Sequence, residues 1–128
     1  MINAEELKKR TKNLALRVIK LFKALPNTAE AQLIGKQLLR SSTSLAANYR
    51  AACVSRSRKE FLAKLSIVVE EADESLFWLE ILGEAAILPQ EKLRLIANEL
   101  QELLFIFSAS RKTAKNNLSQ APNKKITQ

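Results

Sequence analysis

Histidine is absent from the 128 residues. That removes the commonest general base, the commonest transition-metal ligand and every nucleophile arrangement that depends on an imidazole. It also excludes a di-iron bundle of the ferritin type, whose metal site needs Glu-x-x-His motifs. Cys53 is the only cysteine, so neither an intrachain disulfide nor a four-cysteine zinc site can form, and the chain reads as intracellular. There are two glycines and three prolines. So few breakers leave room for few turns and favour a small number of long helices. No run of roughly 18 apolar residues occurs, and the amino-terminal stretch MINAEELKKR has no apolar signal region. The expectation is a cytoplasmic protein of one domain that is not an enzyme, with no catalytic residue, metal or cofactor.

Helix signals are plentiful. Asn3 is followed by Glu6, Asn27 by Glu30 and Ser57 by Glu60. Each pairs a capping side chain with a glutamate three positions on that can reach back to the cap's own N–H. Pro89 supplies a fourth start, because its missing N–H costs nothing in a first helical turn. These signals predict helices at 4–25, 28–53, 58–86 and 90–114. Apolar or small residues recur in steps of three and four within each. Examples are Leu7, Leu14, Val18 and Leu25, then Leu38, Leu45 and Tyr49, then Phe61, Leu65, Val68 and Leu79, and finally Leu93, Ile96, Leu100 and Phe107. Such steps draw one stripe along each helix. Short connections make sequential helices antiparallel, so the predicted fold is all-α, an up-down-up-down four-helix bundle over residues 1–115. Residues 116–128 lose the pattern and read as a flexible basic tail. Gly83 is open to two readings: a left-handed cap ending the third helix, or an interior position against which a neighbour packs.

The middle of the chain, RSSTSLAANYRAACVSRSRKEF, is small and polar. Ser41, Ser42, Thr43, Ser44, Ala46 and Ala47 clothe a helix in short side chains, which lets another helix come near. Elsewhere apolar residues exceed what one core can cover. Leu103–Phe107 is a run longer than one helical turn, and Phe77 and Trp78 stand side by side. Self-association follows as an expectation, with Ser41, Ser44, Phe77, Trp78, Phe105 and Ile106 at the interface between copies.

The net charge is +8, and it is unevenly spread. Residues 1–26 carry seven basic and two acidic side chains, residues 111–128 five basic and no acidic ones, and residues 56–88 four basic and seven acidic. Lys8, Lys9, Lys12, Lys20 and Lys23 fall on one strip of the first helix, opposite its apolar stripe. Arg40, Arg50, Arg56, Arg58 and Lys59 form a second cluster around the turn after the second helix. Basic strips attract polyanions, and arginine can grip a phosphate with two parallel hydrogen bonds. These ten residues are the candidate nucleic-acid contacts, weighed against an ordinary solvated face. No zinc finger, RNA-recognition signature or aromatic stacking platform accompanies them. The acidic stretch with Glu70, Glu71, Asp73, Glu74 and Glu80 could hold a metal, but salt bridges to a neighbouring helix or subunit account for it better. Cys53, between Arg50 and Arg56, is either a thiol activated by cations or a small buried residue. Membrane attachment is not expected, since no aromatic anchors flank the lysines of the first helix.

The segment LLRSSTSLAANYRAACVSRSRKEFLAKLSIVVEEADESLFWLEIL carries a resemblance, through Arg40, Ser44, Leu45, Asn48, Arg56, Ser57, Glu60 and Phe61. It is similar to the signature of the bacterial four-helix-bundle proteins first noticed in intervening sequences of 23S ribosomal RNA genes. Many members carry Ala-Glu-Gly after the asparagine. This chain has Tyr49-Arg50-Ala51-Ala52 there, which points to a subgroup. The resemblance implies a bundle that assembles into a homo-oligomer, typically a pentameric ring with a central channel. A similar fold serves as the accessory protein of diversity-generating retroelements, which partners a reverse transcriptase and binds nucleic acid. Two functions therefore stand as expectations: a homo-oligomeric bundle that binds RNA or DNA through basic surfaces, and a protein-interaction scaffold whose charge serves solubility.

Overall fold

A computed structural model describes residues 2–120. Four α-helices follow one another: α1 (Ala4–Lys23), α2 (Ala29–Cys53), α3 (Arg58–Glu84) and α4 (Gln90–Gln120). No strand occurs among the described residues. Each helix packs against its sequence neighbour, α4 returns to α1, and α1 and α3 do not touch. The result is the antiparallel four-helix bundle expected from the periodicity.

The helix starts follow the capping logic with two changes. Asn3 Oδ1 accepts from Glu6 N–H at 2.9 Å, and Ser57 Oγ from Glu60 N–H at 3.0 Å. The Glu60 carboxylate, however, reaches Arg56 N–H at 3.1 Å rather than that of Ser57. Thr28 caps α2 in place of Asn27, its Oγ1 accepting from Ala31 N–H at 3.3 Å. The fourth helix runs past the expected 114, so residues 116–120 of the expected tail are helical. The remainder of that tail, 121–128, lies outside the described residues.

The end of α3 resolves the role of Gly83. It lies inside the last turn, with the Gln90 side chain folded over it. The left-handed position falls instead on Ala86, at φ 57°. Ile87 N–H donates to Leu82 O at 3.0 Å and Ala86 N–H to Gly83 O at 3.1 Å, the paired bonds of a Schellman cap. A Cβ in this conformation is unfavourable.

The core is the predicted stripe. Leu14, Val18, Leu38, Leu45, Leu65, Val68, Leu82, Leu100, Leu103 and Phe107 are fully buried, each aliphatic or aromatic side chain contributing about 1.5–3 kcal/mol by leaving water. Tyr49 lies against Phe107, ring centroids 4.9 Å apart. The α2/α3 contact is the most extensive and α1/α4 the least. Between α2 and α3 the Ser41 and Ser75 hydroxyls meet at 2.7 Å, both buried. Across α1/α4 the Arg10 guanidinium grips Glu99 with two bonds, 2.9 and 2.7 Å, and reaches Glu102 as well.

Ala86→Gly should raise stability by about 1 kcal/mol, because relief of the left-handed Cβ outweighs the entropy glycine adds to the unfolded chain. Urea denaturation reads the change; a lower midpoint would contradict the cap.

Candidate nucleic-acid interface

Antiparallel packing brings four chain segments to one end of the bundle: the start of α1, the end of α2, the start of α3 and the end of α4. Arg111 Nε donates to Ser66 Oγ at 2.9 Å, tying the last part of α4 to the first part of α3. Positive charge accumulates there. Lys8, Lys9 and Lys12 come from α1, Arg50 from the last turn of α2, Arg56 from the turn, Arg58 and Lys59 from the first turn of α3, and Lys112 and Lys115 from α4. Lys8 is half-buried and the other eight are exposed. Arg111, Lys112 and Lys115 had no place in the predicted site. Their signal was the unopposed charge of residues 111–128, which becomes local only once α4 is folded back beside α3.

Part of this surface is shaped. Lys8, Lys12 and Arg50 line a groove between α1 and α2 of about 490 Å³, whose sides include Ala15, Thr43, Ala46 and Ala47. Short side chains here leave space for a ligand to approach the helices between three cations. A second cleft of about 440 Å³ joins Arg58 and Phe61 of α3 to Ser110, Thr113 and Asn117 of α4. Lys8 Nζ is 2.7 Å from the Glu5 carboxylate, and that bond raises the lysine pKa and lowers the glutamate's. The other eight cations form no salt bridge among the described residues.

Three predicted contacts fall elsewhere. Lys20 and Lys23 lie in the last turns of α1, at the opposite end. Arg40 lies along the middle of the bundle and is engaged by α3. Its Nη1 and Nη2 reach the two Glu71 oxygens at 3.1 Å each, and Nη2 reaches Glu74 Oε2 at 2.7 Å. Glu74 also accepts from Trp78 Nε1–H at 3.1 Å. Two members of the acidic stretch are thus held by a neighbouring helix. Among the described residues no three Asp, Glu or Cys side chains gather as a metal site.

The predicted interface between copies is partly corrected. Ser41 is 0% exposed and bonded to Ser75, so its small size serves the α2/α3 contact within one chain and is not available to another copy. Ser44 is half-buried and accepts from Asn48 Nδ2–H at 3.1 Å. Of the run Leu103–Phe107, Leu103 and Phe107 are buried and Leu104 and Ile106 pack against the same core, leaving Phe105 at 76% exposure. Trp78 also packs on the core, whereas Phe77 is 49% exposed. Cys53 is half-buried and packs against the core. No described helix is long and apolar enough to cross a membrane.

The family model for 23S rRNA-intervening sequence proteins matches residues 5–109, nearly the whole bundle. The chain belongs to that family. A solved structure of a protein of unknown function, from the S23 ribosomal protein family of Bacteroides thetaiotaomicron VPI-5482, is similar to it. The two are 32% identical, with a TM-score of 0.80 over 87% of this chain and 99% of that one. No functionally curated protein matches.

The Arg40 bridge has a pH signature. Hydrogen bonding to Arg40, and then to Trp78, holds the Glu74 carboxyl below its ordinary 4.5. A depressed carboxyl stabilises the fold above its unfolded pKa and loses that contribution as pH falls through the folded value. Urea midpoints between roughly pH 3 and 7 should therefore drop on the acid side of 4.5, and Glu74→Gln should flatten that drop. An unchanged acid limb in the variant would exclude the bridge as its source.

Proposed function

We propose that this member of the 23S rRNA-intervening sequence protein family is a non-catalytic, self-associating bundle that binds RNA or DNA phosphates at its basic end. The observation that carries the reading is the convergence of Lys8, Lys9, Lys12, Arg50, Arg56, Arg58, Lys59, Lys112 and Lys115 from four helices onto one end. Eight of them are exposed and free of carboxylate partners among the described residues. Like charges held together repel, so their grouping on a folded surface suits a polyanion, whose binding releases counterions. The groove between α1 and α2 supports the same reading, because its small side chains leave room between cations. Contacts of this kind are to phosphate and sugar, so they position the nucleic acid without reading its bases.

Anisotropy with a structured RNA, measured at several salt concentrations, tests the proposal. Affinity should fall linearly on a log–log plot. Replacing Arg56, Arg58 and Lys59 together by Ser should reduce the slope by roughly 2–3, about one for each phosphate no longer neutralised. Lys36→Ser with Arg94→Ser, away from the basic end, should leave it unchanged. Salt-independent affinity, or no RNA bound at physiological salt together with a tight protein partner, would replace this reading by that of an interaction scaffold.

A further inference from the structure

The seam between α1 and α4 stops before α4 does. Arg10 of α1 meets Glu99 and Glu102 of α4, and α1 begins at Ala4, only six residues before Arg10. The two helices are antiparallel, so α1 starts level with about residue 108 of α4, six past Glu102. Beyond that point α4 continues to Gln120 with no α1 beside it. On the side of α4 that carries Glu99 and Glu102, steps of three and four lead through Ile106 to Ala109, Ser110, Thr113 and Asn117. Where α1 would otherwise lie, these short side chains and Ala114 form one wall of the cleft of about 440 Å³, and Arg58 and Phe61 of α3 form the other.

Three kinds of group meet in this cleft. Arg58 is exposed in the first turn of α3 and forms no salt bridge among the described residues. Phe61 is half-buried: it packs against the core, as the periodicity of α3 requires, and it also lines the cleft. Ser110, Thr113 and Asn117 bring hydroxyl and amide groups that both donate and accept. A nucleotide asks for the same three. Its phosphate suits arginine, the flat face of its base suits an aromatic ring, and the polar edge of the base suits hydroxyls and an amide. The volume lies within the ordinary range for small-ligand clefts. Arg56 and Lys59, close to Arg58 in the chain and also exposed, supply cations for the adjoining phosphates. A base inside a duplex has its faces covered by its neighbours and its pairing edge by its partner, so only an unpaired base can enter.

We infer that the cleft between the start of α3 and the projecting end of α4 holds one unpaired nucleobase of a single strand, its face toward Phe61 and its phosphate on Arg58. This deepens the proposed function and rests on it. The cations of the basic end select a phosphate chain, and the cleft selects a chain whose bases are free. Mixed donors and acceptors at the edge accommodate more than one base, so the preference is for single strands and not for a sequence.

Anisotropy of the full chain with two labelled probes tests the site: a short oligothymidylate, and a strand of equal length in which every base is replaced by an abasic site. The two carry the same phosphates, so their salt slopes should agree. The oligothymidylate should bind roughly tenfold or more tightly, the effect of one stacked base. Phe61→Ala should remove that preference and leave the affinity for the abasic strand unchanged. Because Phe61 also supports the core, Ala114→Leu provides a second variant: it fills the cleft from α4, favours the helix about as well as alanine, and should have the same effect with unchanged circular dichroism. Equal affinity of the unmodified protein for both strands, with normal salt dependence, would overturn the base site and leave phosphate binding standing. So would a preference for the oligothymidylate that survives in both variants. If neither strand binds at physiological salt, the nucleic-acid reading falls and the base site with it.

Discussion

The bundle depends on the close approach of α2 and α3. Its mark is the buried pair of hydroxyls, Ser41 and Ser75, at 2.7 Å. Larger side chains at either position would hold the two helices apart, and an unpaired hydroxyl there would carry a desolvation penalty. Each serine therefore satisfies the other's burial while taking little space. Ala72, also fully buried, is a second small side chain on α3. With this pair in place, the short turn from Val54 to Ser57 determines where the chain reverses, and α1 and α4 are laid against the two sides.

Charge is distributed according to the same geometry. Between helices, arginines are matched by carboxylates on neighbouring helices: Arg10 with Glu99 and Glu102, Arg40 with Glu71 and Glu74. Arg10 spans the loosest helix pair, where packing contributes least. Among the described residues, Arg50, Arg56, Arg58 and Lys59 around the α2–α3 turn form no salt bridge. The chain therefore uses arginine in two ways: as a two-pronged brace between helices, and as an exposed charge on the turn.

Without histidine, a general base would have to come from a carboxylate or lysine with a strongly altered environment. Glu74 is pushed the other way, held ionised by Arg40. The burial that raises the Tyr49 pKa places its ring in the core against Phe107. What the molecule presents outward at one end is a group of cations drawn from four helices.

The sequence by itself determined the helices and the stripe each one buries. Capping and a spacing of three and four are local properties, and Leu14, Val18, Leu45, Val68, Leu100 and Phe107 all occupy the predicted core. Several features were decided only by the tertiary structure, because they depend on distances between residues far apart in the chain. Ser41 looked like a surface for another molecule until Ser75, thirty-four positions away, was found against it. Arg40 belonged to a basic cluster until Glu71 and Glu74 claimed it. Lys20 and Lys23 shared a helical strip with Lys8 and Lys12 but stand at the other end of the rod, while Lys112 and Lys115, remote in sequence, stand close to the turn. Helical periodicity reports the angle of a side chain around its own axis. It cannot report which of two helix ends meets which, and that pairing separates a charged strip from a charged site.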